Sequence, residues 1–179
     1  MNILLMGMRG CGKSSAGTLL ATRIRRTFVD LDTMTATRCN APTAGQALAL
    51  VGEAAFRAAE MEALRVALQS SRFVLALGGG TPTAPGAADL INAQRTAAKC
   101  LVVYLRATVS TLRERLEKTD LKSRPSLTGK GVLQEIPEIL QQREPVYTSL
   151  ADITTEVDGR SVDEVVKSIA GELKQRGVS

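Results

Sequence analysis

The residues with the clearest chemical potential lie at positions 7–14, in the stretch GMRGCGKS. Their spacing, G-x-x-x-x-G-K-[ST], is that of a phosphate-binding loop, and it stands between an apolar run and a segment of helical composition. Glycines let the backbone turn so that its N–H groups face an anion, and the start of the next helix adds more of them. Lys13 supplies a positive charge for the outer phosphates, while the Ser14 hydroxyl can ligate Mg²⁺. Because strand, loop and helix agree, a chance glycine turn is disfavoured, and the stretch predicts a nucleotide phosphate site.

Other candidate residues follow further along the chain. Asp30 and Asp32 come at the end of a short apolar run, where open α/β sheets place their ligands, although a simple strand-end turn would look the same. Arg57 could bind an anion or could pair with Glu60 on one helix face. Segment 118–131 is basic, poor in apolar residues and interrupted by proline and glycine, which predicts a mobile loop.

Composition narrows the function classes. The chain has 179 residues and a net charge of +5, but its basic residues are dispersed, and with two Tyr, three Phe and no Trp it has little for base stacking. Histidine is absent, so any acid–base chemistry falls to carboxylates, lysine or tyrosine. The three cysteines, Cys11, Cys39 and Cys100, lack metal-ligand spacing and favour reduced thiols in a cytoplasm. We therefore expect no nucleic-acid partner, no membrane segment and a cytoplasmic location.

Apolar runs alternate with helical periodicities along the whole chain, as in βαβ units of a parallel sheet. The expected strands are 3–6, 27–32, 73–77, 100–105 and 153–157. The first expected helix follows the phosphate loop, and one or two short helices are expected within 33–51. Further helices are expected at 53–69, in a stretch that ends at about 94, in a stretch that begins at about 108, and at 137–144. A last helix is expected after a capping box at Ser161 and Glu164. The pattern predicts an α/β fold with helices on both faces of the sheet.

Six motifs in order resemble those of the shikimate kinase family. They are the phosphate loop, Asp30-x-Asp32, Gly52-Glu53-x-x-Phe56-Arg57, Gly78-Gly79-Gly80, Arg124-Pro125 and Arg143-x-Pro145-x-Tyr147. The resemblance covers nearly the whole chain and implies a three-layer P-loop kinase fold of one domain, residues 1–179, with a five-stranded parallel sheet in the order 2-3-1-4-5. It also implies a substrate-binding segment at 33–61 and a lid at about 115–130.

The resemblance implies transfer of a phosphoryl group from MgATP to the 3-hydroxyl of shikimate, in aromatic amino-acid biosynthesis. The catalytic residues would be Lys13, Asp32 and Arg124, with Mg²⁺ held through Ser14 and Asp30. The implied ATP contacts are Gly10, Cys11, Gly12, Lys13, Ser14, Ser15, Arg115 and Arg124. The implied shikimate contacts are Asp32, Arg57, Gly78, Gly79, Gly80 and Arg143. The partners would be the small molecules shikimate and ATP, and the protein is expected to be a monomer.

Some observations leave alternatives open. Arg9 stands where the family often has methionine, Cys11 could be only a small spacer, and Arg143 could be a solvated helix end. The approach to the lid is slightly long, which leaves a contact between Arg115 and adenine open. A kinase for another small carboxylate such as gluconate, a non-catalytic nucleotide-binding protein and a nucleic-acid protein are the competing functions. ATP consumption over a panel of acceptors distinguishes them.

Overall fold

The computed structural model describes residues 1–119, 126 and 129–178. Among these residues, five parallel strands form one sheet in the order β2-β3-β1-β4-β5, which confirms the predicted order. The strands are β1 (Asn2–Met6), β2 (Thr27–Asp30), β3 (Phe73–Ala76), β4 (Cys100–Arg106) and β5 (Ile153–Glu156). Every residue of β1 and β3 is buried, and so is β4 up to Leu105. Because successive side chains of a strand point to opposite faces, both faces of the central sheet are covered.

Seven α-helices connect and follow these strands within the described residues. They are α1 (Lys13–Arg23), α2 (Leu31–Arg38), α3 (Ala44–Gln69), α4 (Ala87–Thr96), α5 (Val109–Glu117), α6 (Ile136–Leu150) and α7 (Val162–Gln175). A short 3₁₀ turn at Thr81–Thr83 follows β3. The capping box predicted at Ser161 and Glu164 is present and begins α7. None of the described helices is long and apolar enough to cross a membrane.

The predicted end of the helix at Glu144 is wrong. Helix α6 continues through Pro145 to Leu150, although a proline inside a helix removes one hydrogen bond and typically costs about 3 kcal/mol. The residues beyond the proline explain why the helix persists, since Tyr147 is fully buried and Leu150 nearly so. Tertiary packing therefore outweighs the local penalty here.

The region predicted as one or two short helices contains α2 and the first part of α3. Gly52 interrupts α3 with a positive φ of 79° and a ψ of 167°, and the helix resumes beyond it, where the sequence predicted a helix start. No heavy atom lies within 4 Å of a Cβ built on Gly52, so its backbone conformation, and not a lack of space, requires glycine.

The predicted mobile loop at 118–131 lies largely outside the described residues. Arg124, the predicted lid arginine, is among the residues that are not described.

Candidate functional site

A cavity of about 810 Å³ opens at the carboxyl ends of β1, β2 and β3. Most of the residues predicted from the sequence line it, although they come from six separate parts of the chain. These are Gly10, Gly12, Lys13, Ser14, Ser15, Asp30, Asp32, Arg57, Gly78, Gly79, Gly80, Arg115 and Arg143. The fold therefore brings these predicted residues together, whereas the Cys11 side chain is buried. Arg124 lies outside the described residues.

The loop after β1 has the backbone that a phosphate cradle needs. Gly7 and Gly12 adopt positive φ angles of 144° and 100°, and a Cβ on Gly7 would lie 2.6 Å from the carbonyl oxygen of Leu105. Gly12, the N-cap residue of α1, has no side chain that could accept hydrogen bonds from the first amides of the helix. These N–H groups can therefore bind an anion. The Lys13 ammonium donates to the carbonyl oxygens of Gly7 at 2.9 Å and Met8 at 3.1 Å. These hydrogen bonds keep the positively charged ammonium group of Lys13 at the phosphate loop.

Cys11 has a structural role in this loop. Its side chain is 1% exposed, and its Sγ lies 3.9 Å from the Lys13 ammonium, behind the cavity wall. Its backbone carbonyl, in contrast, accepts a hydrogen bond from Arg115 Nη1 at 3.0 Å. The geometry favours the spacer interpretation of this thiol.

Asp30 links the phosphate loop to the second strand. The Ser14 hydroxyl donates to Asp30 Oδ2 at 2.8 Å, while Asp30 Oδ1 caps α2 by accepting from the amide of Asp32 at 3.0 Å. A hydroxyl and a carboxylate oxygen thus lie side by side, and oxygen ligands are those that Mg²⁺ prefers. Within the described residues, no cluster of three or more acidic, cysteine or histidine side chains could hold a metal alone. The pair fits a Mg²⁺ ion that keeps water and phosphate ligands.

Asp32 lines the cavity and is exposed to the cavity space, although the protein around the cavity partly desolvates its carboxyl. This desolvation raises the pKa of its carboxyl, and the charges of Asp30 and Glu60 add to the rise, while Lys13 opposes it. A raised pKa makes a carboxylate a stronger base at neutral pH. Gly78 leaves room for this side chain, since a Cβ there would lie 2.6 Å from Asp32 Oδ1.

Arg57 and Arg143 meet at Gly80, although they come from α3 and α6. A Cβ on Gly80 would lie 3.0 Å from both terminal nitrogens of Arg57 and 3.3 Å from Arg143 Nη2. Two guanidinium groups therefore face the same glycine turn at the cavity wall. This pairing suits a carboxylate, whose two oxygens match the fork of a guanidinium.

Each of these arginines is held by a partner. Arg57 Nη1 donates to Glu60 Oε2 at 2.7 Å, and the other oxygen of the buried Glu60 accepts from Thr81 Oγ1 at 2.6 Å. Arg143 hydrogen-bonds the buried Tyr147 hydroxyl, which itself donates to the carbonyl oxygen of Gly79. Burial raises the pKa of Tyr147 to about 12, so the phenol keeps its proton and remains a donor. The Arg57–Glu60 pair considered as an alternative exists, and it directs the guanidinium toward the turn.

Arg115 lies where the phosphate loop and the end of β5 border the cavity. Its guanidinium donates to the carbonyl oxygens of Cys11 and Val157, both at 3.0 Å, so its plane is fixed between the phosphate loop and the end of β5. Arg160 and Val162 also line the cavity. Arg160 is fixed in turn by the carbonyl oxygens of Glu156 at 3.1 Å and Glu164 at 2.9 Å.

The sequence did not predict a site role for several residues. Glu60 and Tyr147 position the two arginines, but the sequence indicated Glu60 only as a helix-face partner of Arg57 and Tyr147 only as part of a family motif. Arg160 carried no local signal, because it reaches the cavity only through the packing of α7. Arg9 was noted only as a departure from the family pattern, yet it lines the cavity.

The parallel sheet, its phosphate loop and the cavity at the strand ends define a P-loop kinase. A family model described as shikimate kinase matches residues 9–174. A shikimate kinase of Chlorobium chlorochromatii is 37% identical over 97% of this chain and 90% of its own length. This chain belongs to the shikimate kinase family, and the predicted enzyme class, ATP-dependent phosphorylation of shikimate, is confirmed.

Solved structures agree with this assignment. Shikimate kinase from Acinetobacter baumannii, in a complex with shikimate, superposes with a TM-score of 0.87 and 27% identity, over 99% of this chain and 95% of that one. A gluconokinase from Sinorhizobium meliloti superposes with a TM-score of 0.61 at 18% identity, which shows a shared fold alone.

Proposed function

We propose that this kinase transfers the γ-phosphoryl group of ATP to the 3-hydroxyl of shikimate with the residues that line the 810 Å³ cavity. The observation that carries the proposal is the meeting of Arg57 and Arg143 at Gly80, on the same cavity wall as Asp32 and the phosphate loop. In the reaction, the hydroxyl oxygen bonds to the γ-phosphorus while the bond to the bridging oxygen of ADP breaks. The hydroxyl proton leaves to a base.

The phosphate loop would hold the donor. Amides of the loop and of the start of α1 would bind the β- and γ-phosphates, and Lys13 would neutralise charge that builds up during transfer. Ser14 would ligate Mg²⁺ directly, with Asp30 acting through a water molecule; when bound, the ion supplies charge neutralisation at the phosphate oxygens. The 2.8 Å contact between Ser14 and Asp30 supports this assignment.

Asp32 would orient the acceptor hydroxyl and accept its proton. The raised pKa of its carboxyl suits a base, and Gly78 leaves its oxygen room at the turn. Backbone amides of Gly78, Gly79 and Gly80 would bind the substrate and the transferred group.

Arg57 and Arg143 would bind the shikimate carboxylate. A carboxylate that leaves water needs charged, hydrogen-bonded partners, and two guanidinium groups at one turn provide them. Glu60 and Tyr147 support this role because they fix both arginines before substrate arrives. Preformed binding groups lower the entropy cost of association.

The remaining assignments extend the same scheme. Arg115 would lie against adenine, and Arg124 would cover the phosphates as part of a lid at about 115–130. Residues 33–61 would form the substrate-binding segment of one domain. We further propose that the protein acts as a cytoplasmic monomer without nucleic-acid or membrane partners.

An acceptor panel tests the proposed function. ATP consumption is measured with shikimate, quinate, gluconate, nucleoside monophosphates or oligonucleotides as the second substrate. Shikimate should support turnover at least tenfold faster than any other acceptor. Equal or faster turnover with gluconate would refute the substrate assignment, and ATP hydrolysis that ignores the acceptor would refute phosphoryl transfer.

A further inference from the structure

Glu135 is a buried carboxylate outside the scheme above. It precedes α6 and is 1% exposed. Its side chain makes no capping hydrogen bond to α6, so helix capping does not account for its presence. Burying a carboxylate is costly unless charged or hydrogen-bonding partners surround it. The partners of the Glu135 carboxylate must therefore offset the cost of burying its charge.

Those partners lie on two sides. Oε2 accepts a hydrogen bond from the Ser126 hydroxyl at 2.8 Å, and Ser126 Oγ accepts from the amides of Gly129 at 3.0 Å and Gly131 at 3.1 Å. Oε1 lies 3.8 Å from Nη1 of Arg9, which is an ion-pair distance. The carboxylate thus connects the turn before α6 to a side chain of the phosphate loop.

Arg9 belongs to the acceptor side of that loop. Its side chain is 22% exposed and lines the cavity. Its backbone nitrogen lies 3.3 Å from the position of a Cβ on Gly79, and the same position is 3.6 Å from Arg143 Nη1. The positive charge of Arg9 also lowers the pKa of Asp32, so its field reaches the proposed base. Arg115, the proposed adenine contact, is held elsewhere, by the carbonyl oxygens of Cys11 and Val157.

We propose that Glu135 is a positioning residue that holds the Arg9 guanidinium at the acceptor side of the phosphate loop, where Arg9 assists the reaction of the acceptor. This inference rests on the proposed function. A long side chain in an open cavity adopts many rotamers, and a fixed counter-charge selects one of them. Held there, Arg9 adds a preorganised positive charge near the transferred group, and such charges lower the barrier of phosphoryl transfer.

Replacing Glu135 with Gln tests the role of the charge while keeping an oxygen for Ser126. We expect kcat/KM for shikimate to fall by about threefold to thirtyfold, which lies within the range of coupling between contacting residues. The KM for ATP should stay within twofold. The matched control is Glu138→Gln, which removes an exposed carboxylate of the same helix, paired with Lys130 at 2.8 Å; its kinetics should match the wild type. Equal losses in both variants, or none in Glu135→Gln, would overturn the proposal.

A double-mutant cycle with Arg9→Met separates positioning from general stability. If Glu135 acts through Arg9, Glu135→Gln should change kcat/KM less than twofold further in the Arg9→Met background. Arg9→Met alone leaves a buried carboxylate without this partner, so adding Glu135→Gln should raise the melting temperature of that variant. Additive effects on kcat/KM and on melting temperature would refute the coupling. The melting measurement needs no turnover, so it stays informative if the wild type fails to phosphorylate shikimate, an outcome that refutes the proposed function instead.

Discussion

Replacing Gly78 with alanine should reduce turnover, because the new methyl group displaces the Asp32 carboxylate. The φ of Gly78 is not in the left-handed region, so alanine adds contacts without backbone strain. The Cβ would lie 2.6 Å from Asp32 Oδ1 and 2.8 Å from both Glu60 Oε1 and Thr81 Oγ1, whereas ordinary contact begins at 3.4 Å. Relief of the first contact moves the Asp32 oxygen by about 0.8 Å.

A displacement of this size lowers kcat on the order of 10²-fold, since misplacement by about 1 Å can cost that much. Crowding should also reduce the free energy of unfolding by about 1–3 kcal/mol. Steady-state kinetics and urea unfolding measure the two effects. Gly171→Ala is the control: this exposed glycine of α7 has no heavy atom within 4 Å of its Cβ position, and alanine there should add about 0.5–1 kcal/mol of stability without changing kcat. A folded Gly78→Ala variant with kcat within threefold of the wild type would refute a precisely placed Asp32.

Three further predictions concern individual side chains. Arg57→Lys or Arg143→Lys should weaken shikimate binding, measured by calorimetry, by about 1.5–3 kcal/mol and should leave the affinity for ATP unchanged. A loss of affinity for ATP instead of shikimate would place these arginines at the nucleotide. Asp32→Asn should lower kcat by roughly 10²–10⁴-fold, and added Mg²⁺ should not restore it. High Mg²⁺ should partly restore the activity of Asp30→Asn. Equal rescue of both variants would refute the assignment of Asp32 to the acceptor hydroxyl and of Asp30 to Mg²⁺. Glu60→Gln removes a charge that raises the pKa of Asp32, and the ionised form is the active one. The acid limb of kcat/KM should therefore move to lower pH, and a limb that stays in place contradicts Asp32 as the base.

Local signals were sufficient to predict the sheet. Buried apolar runs mark β1, β3 and β4 because strands covered on both faces need continuous apolar sequence, and glycine follows the first two runs. The course of α6 past Pro145 could not be predicted this way. The residue that keeps this helix intact, Tyr147, does so by packing against β4 and Gly79, which are distant in sequence.

The site shows the same division. Spacing identified the phosphate loop, and family motifs identified Arg57 and Arg143, but neither says how the guanidinium groups are held. Their partners Glu60 and Tyr147 act through hydrogen bonds that exist only once α3, α6 and the glycine turn are assembled. The contact of Arg9 with Glu135 joins residues 126 positions apart, and no local pattern indicates it.

The most direct test of the central claim is the identity of the product. The enzyme is incubated with MgATP and shikimate, and the product is analysed by two-dimensional ¹H–³¹P correlation NMR. The account predicts a phosphate ester whose phosphorus couples to the proton on carbon 3, formed together with one equivalent of ADP. Inorganic phosphate as the only phosphorus product besides ADP, or a phosphorus coupled to a proton on another carbon, would contradict it.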